Sequence, residues 1–334
     1  YIPDVATIEG YLKTAVALKK PELALKAERL IRKVNLVSSL NNMTPLQIED
    51  FITETRIQIN DRLKGKKPPS EDNTGLSTDL YLQLQTAEKY HAKLVSDLEK
   101  DPISAVSKRG TFEIDTLNFK EFAVNPKENY EAFVASLVKR KSHAEAISSI
   151  YDVEAKFLSE AEATQITTVL SKMDNPEQIR FLSQILVDGF KDKAPDVFAQ
   201  LNEKDAFLAH IGGLSIVSEG RPNKAIDLAI EGWLLNKNEN IDIKVKDTDI
   251  QSFKAKYMSV FPENKGTLNN IIGTANNIYA ALYINSAKYK SGIFDASIYD
   301  KAMQMAIGQN GEYGGVAEYK DEQVHVPMWL KNED

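Results

Sequence analysis

Glu160 with Glu162, and Asp247 with Asp249, are the residues whose types and spacing come nearest to working chemistry. Two neighbouring carboxylates can divide acid and base roles at a glycosidic bond, or hold a divalent cation. A plainer reading competes with that one. Both pairs sit where a helix start or a loop places solvated acids, and Ser159-Glu160-Ala161-Glu162 has the composition of a first helical turn. The histidines His91, His143, His210 and His325 are scattered, with none paired at metal-ligand spacing. His91 and His210 fall on apolar faces and read as interior or boundary residues. Asn236, Asn238 and Asn240 alternate as calcium-loop ligands do. Ile241 stands where such a loop needs glycine, and Asp247 where it needs a bidentate glutamate, which excludes that site.

Phosphate chemistry fares no better. Gly308, Gly311, Gly314 and Gly315 follow a helical pattern instead of a strand, and no lysine stands where a phosphate-binding loop needs one, so they read as a helix cap and a turn. Lys139-Arg140-Lys141 and the lysines between 64 and 67 could touch phosphate, but read as helix ends, where cations meet the dipole favourably. The absence of cysteine removes disulfides, a thiolate nucleophile and any zinc site of the Cys type. A net charge of −7 argues against a dedicated nucleic-acid binder and leaves room for local basic patches. The sequence therefore assigns no catalytic, cofactor-binding or metal-ligating residue, and no cofactor is expected.

The elements that would position any such residues are helical. With 43% apolar and 27% charged residues in 334, the composition is that of a soluble globular chain long enough for two domains. Helices are expected at 4–19, at 21–40, and from the capping box Thr44-Pro45-Leu46-Gln47 to residue 63, with a polar, breaker-rich loop at 64–73. Over 78–99, Leu80, Leu84, Ala87, His91, Leu94 and Leu98 alternate by four and three, the seam of a coiled-coil-like packing. Residues 111–124 show no helical phase and read as a joint. Beyond it, Asn125-Pro126, Ser159 to Glu162 and Asn175-Pro176 begin what read as short helices with short corners. Residues 205–238 read as two packed helices turned by Gly220 and by Pro222 in the first turn of the second; Phe207, Leu208, Ile211 and Leu214 face Ala225, Leu228, Ala229, Trp233 and Leu234. A brief extended piece is expected at 242–246, and helices at 267–287 and 295–307. A small hairpin then pairs 316–319 with 324–326 and ends at Pro327.

The fold class expected is all-α: an irregular or solenoid-like multi-helix stack with an N-terminal helical-bundle or coiled-coil-like part and a small C-terminal β-hairpin. The domains expected are an N-terminal long-helix bundle at 1–110, a joint at 111–124, and a C-terminal helical domain at 125–330. No apolar run approaches the ~20 residues that span a bilayer. The opening Tyr1-Ile2-Pro3-Asp4 lacks an initiator methionine and a signal-peptide pattern, which suggests an excised fragment.

Six stretches carry a resemblance. They are Lys100-Asp101-Pro102-Ile103-Ser104-Ala105-Val106, Leu158-Ser159-Glu160-Ala161-Glu162-Ala163 and Ala194-Pro195-Asp196-Val197-Phe198-Ala199-Gln200-Leu201, then the pair running from Gly212 to Trp233, Gly292-Ile293-Phe294-Asp295-Ala296-Ser297-Ile298-Tyr299, and Gly314-Gly315-Val316 with Val326-Pro327. In that order, across roughly residues 76–330, the chain resembles the helical region of large internal or ejection-type virion proteins of tailed bacteriophages and prophages, which often carry a lytic transglycosylase domain elsewhere. The resemblance implies a non-enzymatic structural module acting in genome ejection or particle assembly. Its implied place is the virion, the host cytoplasm before assembly, and the periplasm on ejection. The implied partners are other copies of itself and other virion proteins, with contact to DNA or the cell wall left open and no integral membrane segment. A transglycosylase places its acid glutamate in a Glu-Ser step, and the sequence contains none; a catalytic domain, if any, is expected outside this stretch. The alternatives are a cell-wall-active enzyme fragment and an α-solenoid adaptor that captures a partner peptide.

Overall fold

The computed structural model describes residues 4–63, 76–218, 221–238, 243, 245–258, 260, 265–311, 313–319 and 322–331. It is mostly helical and ends in one antiparallel pair of strands. The helices are α1 (Val5–Ala17), α2 (Pro21–Leu40), α3 (Pro45–Leu63), α4 (Leu76–Lys100), α5 (Pro102–Arg109), α6 (Phe119–Val124), α7 (Tyr130–Tyr151) and α8 (Glu160–Lys172). They continue with α9 (Pro176–Phe190), α10 (Ala194–Asn202), α11 (Ala206–Val217), α12 (Lys224–Asn236), α13 (Asp247–Met258), α14 (Lys265–Ile284) and α15 (Ala296–Ile307). The strands are β1 (Tyr313–Tyr319) and β2 (Glu322–Lys331).

Local chemistry starts most of these helices. Asp4, Asp101, Asn118, Asn175, Asp205, Asn223 and Asp295 each accept a backbone N–H of the turn they open. Each such cap contributes about 1 kcal/mol. Thr44 and Gln47 form the reciprocal box their spacing predicts: the Thr44 N–H donates to Gln47 Oε1 at 2.8 Å, and the Gln47 N–H to Thr44 Oγ1 at 3.3 Å.

Two compact units result, Tyr1–Ile114 with His143–Ser159, and Asp115–Ser142 with Glu160–Asp334. In the first, α1 packs on α2, α3 on α4, and α2 along α4. Helices α2 and α4 run in the same direction, since Arg32 meets Asp79 at 2.6 Å and, farther along both, the Tyr90 hydroxyl donates to Asn41 Oδ1 at 2.9 Å. The core gathers Leu40, Ile48, Ile52, Ala87, Leu94 and Leu98. The predicted seam of α4 thus supplies three of its members, and Leu84 packs against them. Arg109 closes the unit by donating to the carbonyls of Leu40, Asn41 and Met43, at and just past the end of α2.

In the second unit α9 packs on α10, α11 and α12; α12 lies on α14, α14 on α15, and α15 against β1. The helix pair at 205–238 is recast by this arrangement. Helix α12 has its main neighbour in α14, and its buried face is Ala225, Ile226, Ala229 and Ile230. Leu228 and Leu234 stay partly exposed, while Trp233 stacks on Phe207 with centroids 5.1 Å apart. Pro222 is not in the first turn of α12: Asn223 caps that helix, and Pro222 precedes the cap. Gly220 lies outside the described residues.

Other expectations change as well. Asn118 starts a helix, α6, inside the stretch read as a structureless joint, and α6 buries Phe119 and Phe122. The helix that follows Asn125-Pro126 is not short, since α7 has 22 residues. Helix α13 was not expected; Asp247 and Asp249, read as acids of a helix start or a loop, fall in its first turn. Pro327 does not end the hairpin. Pairing runs in register from Tyr319↔Glu322 to Gly315↔Val326, breaks, and resumes at Tyr313↔Lys331. The proline falls within that irregular stretch, where a missing N–H costs no ladder bond. The 64–73 loop and residues 242 and 244 of the 242–246 piece lie outside the described residues.

Candidate functional site

The acidic pairs are spent on structure. Glu162 is not a solvated cap: it lies inside the second unit, where its Oε2 accepts from Arg140 Nη1 at 2.5 Å and its Oε1 from the Leu117 N–H at 2.9 Å. The two side chains are only 2% and 5% exposed. Arg140 also donates to the carbonyl of Asp115. Glu160, on the outside, pairs with Lys204 at 2.8 Å. The neighbours in sequence thus serve different partners, and both carboxylate oxygens of Glu162 are engaged in holding the fold. Asp249 accepts the Lys246 N–H at 3.2 Å near the start of α13, and Asp247 pairs with Lys254 at 2.9 Å.

The basic run Lys139-Arg140-Lys141 does not end a helix. It occupies the middle of α7, with Lys139 on Asp115 at 2.5 Å, Arg140 buried, and Lys141 on Asp192. The other run, at 64–67, lies outside the described residues. Gly308 caps α15 in the left-handed conformation, with φ 114°. Asn236 donates to Asn277 Oδ1 at 2.9 Å; Asn238 is exposed, and Asn240 lies outside the described residues.

Of the histidines, His91 and His143 are half-buried in the first unit, the latter edge-on to Phe112 at 6.0 Å. His210 and His325 are brought together, which their separation in sequence conceals. Both line a hollow of about 580 Å³ in the second unit, with Phe198, Leu214, Ile271 and Ile307. His210 Nε2 lies 2.9 Å from the Ala306 carbonyl; burial lowers the pKa of this imidazole, and that hydrogen bond opposes the shift. No three His, Asp or Glu side chains among the described residues are grouped to hold a metal ion. Burial pushes the phenols of Tyr257 and Tyr299 upward, and Asp300 adds to the shift at Tyr257, so both stay protonated at neutral pH. Lys237 is held over the Trp233 ring at 3.9 Å while it donates to the carbonyls of Ser171 and Met173 beside the end of α8. These arrangements join elements to one another.

The surface with unspent chemistry is in the first unit. Helices α2 and α4 flank a groove of about 740 Å³. Leu30, Leu36 and Val37 of α2 and Leu82 and Tyr90 of α4 supply its apolar lining. Six cations border it, Lys26, Arg29, Arg32 and Lys33 from α2 with Lys89 and Lys93 from α4, against one acid, Asp79. Arg32 is taken by Asp79 and Lys93 by Asp97. Lys26, Lys33 and Lys89 are exposed and make no ion pair with a described residue. The buried Nε of Arg29 has no acceptor. Sequence reading missed this site because its cations are divided between two helices about 60 residues apart. The legible signal was the row Lys26, Arg29, Lys33 at spacings of three and four beside Leu30 and Val37.

Comparison with protein-family models, with characterised proteins and with solved structures yields no match for this chain. No described helix is long and apolar enough to cross a membrane.

Proposed function

We propose that the chain is a non-enzymatic structural module of a phage or prophage particle protein, acting in genome delivery or particle assembly through contacts with other copies and other particle proteins. Its non-enzymatic character is carried by the engagement of Glu162 with Arg140 and the Leu117 N–H, which removes the pair of carboxylates best suited to cut a glycan. The particle role rests on the ordered series of stretches. Four of these coincide with the starts of α5, α8, α10 and α15, and at two of those starts, Asp101 of α5 and Asp295 of α15, ordinary helix-capping chemistry accounts for part of the likeness. The architecture belonging to this reading is an N-terminal bundle followed by a solenoid-like stack. Recovery of the sequence within a larger polypeptide in purified particles is the expected result; exclusive recovery as a free cytoplasmic protein overturns the reading.

The alternative of a cell-wall-active fragment predicts soluble muropeptides after incubation with peptidoglycan between about pH 4 and 8, the range in which carboxylate pairs work. The third reading, a protein-binding adaptor, is favoured by one observation, the cation-edged groove between α2 and α4. Capture of a partner by the chain outside any particle separates it from the first.

A further inference from the structure

We infer that the groove between α2 and α4 is a docking site for an acidic amphipathic helix of a partner polypeptide. The inference stands on the groove alone and survives failure of the particle reading.

Shape comes first. Two helices running side by side in the same direction leave between them the seat that a third helix fills by ridge-into-groove packing. The lining from Lys26 to Val37 on α2 and from Asp79 to Lys93 on α4 extends about 16 and 21 Å at 1.5 Å per residue, the length of three to four helical turns. Leu82, in this lining, is 40% exposed although its helix neighbours Leu94 and Leu98 are buried. An apolar stripe laid into the groove would cover it together with Leu30 and Val37.

Charge then selects the occupant. Lys26, Lys33 and Lys89 border the apolar lining as charged flanking positions border the seam of a coiled coil. Aspartates and glutamates beside the partner's apolar stripe would meet these ammonium groups, which make no ion pair with a described residue, and the cationic head of Arg29 in the same lining. A basic helix would face repulsion from Lys26, Arg29, Lys33 and Lys89, the cations that Asp79 and Asp97 do not take. A nucleic acid is disfavoured on two grounds: the apolar lining offers nothing to a phosphate backbone, and a polyanion longer than the groove must run out over a chain of net charge −7. A short acidic helix avoids the second penalty, because screening confines the field it meets to within about 10 Å.

The test uses the full chain and a synthetic probe, a helix of about 18 residues with leucine at the two seam positions of each heptad and glutamate at the flanking ones, beside a twin carrying lysine at those flanks. The glutamate peptide is expected to bind, to bind more weakly as salt rises, and to shield Lys26, Lys33 and Lys89 from acylation. The combined substitution Lys26→Glu, Lys33→Glu and Lys89→Glu should weaken it by at least about tenfold. These side chains are exposed, so the variant is expected to keep its circular dichroism; if it does not fold, the acylation pattern of the unsubstituted chain decides. Equal binding of the two peptides, no binding of either, or preferential binding of a single-stranded oligonucleotide overturns the inference. So does shielding of the three lysines in the free chain that grows with its concentration, which would mark the groove as a contact between copies.

Discussion

A Cβ built on Gly232 would lie 1.7 Å from the carbonyl oxygen of Asn277, so α12 and α14 touch backbone to backbone at that residue. A methyl group there meets the main chain of another helix, which cannot swing away as a side chain end could. Gly232→Ala is therefore expected to push the two helices apart and to cost at least about 1–3 kcal/mol, although alanine is the better helix former by up to about 1 kcal/mol. A urea or thermal unfolding curve checks this. An unchanged or raised midpoint would mean that helix propensity outweighs the clash.

The Arg140–Glu162 pair leads to a second prediction. Removing one partner leaves a charge in a site that is 2–5% exposed, and such losses run to about 3–5 kcal/mol. Arg140→Met and Glu162→Leu should each destabilise strongly. The double variant should be less damaging than the sum of the two, because it leaves no unpaired charge. A double-mutant cycle from denaturant unfolding measures the difference, and strict additivity contradicts the account.

His210 makes stability depend on pH. Burial depresses its folded-state pKa below 6.5, with the hydrogen bond to Ala306 opposing. As pH falls below the unfolded value, the unfolded chain takes up a proton that the folded chain resists, so folding weakens toward acid until the folded pKa is reached. Above neutral pH the residue contributes no slope. Unfolding midpoints followed from about pH 7.5 to 5 should fall less in His210→Asn than in the parent chain. Parallel pH profiles would show that the imidazole does not titrate differently on folding.

How much of this was legible in the sequence varies with how local the signal is. The caps at Thr44, Asn175 and Asp295 and the period of α4 are written within a few residues, and those helices form where expected. So does the hairpin, apart from the tolerance of Pro327. Glu162 was misread because its position in the first turn of α8 resembles a cap, while the residue that neutralises it comes from α7, 22 positions earlier. Lys139 and Lys141 resembled a helix end because nothing nearby in sequence shows that Asp115 and Asp192 meet them. Gly232 looked like an ordinary glycine, since its role depends on Asn277. The α2 and α4 groove has the same character: each helix carries an intelligible row of cations, and only their packing side by side makes a site.

Gln304 tests how the hairpin is held. Its Oε1 accepts the Val316 N–H at 2.8 Å and its Nε2 donates to the Tyr257 hydroxyl at 3.1 Å, so one side chain on α15 ties β1 to α13. Two strands alone are marginal in water and need packing against a helix. Gln304→Ala removes both bonds and leaves the Val316 N–H without this partner, a loss of about 1–2 kcal/mol in local terms. The consequence should be concentrated in the hairpin: hydrogen exchange at Val316 and its ladder neighbours should accelerate by about tenfold, while amides in α9 and α14 keep their rates. Gln304→Glu is the informative companion, because its carboxylate can still accept from Val316 but, when ionised, cannot donate to Tyr257. If that variant protects the hairpin as well as glutamine does, the bond to β1 is the one that matters; if both variants exchange at the parent rate, packing of Val316 and Val326 holds the strands without the side-chain tie.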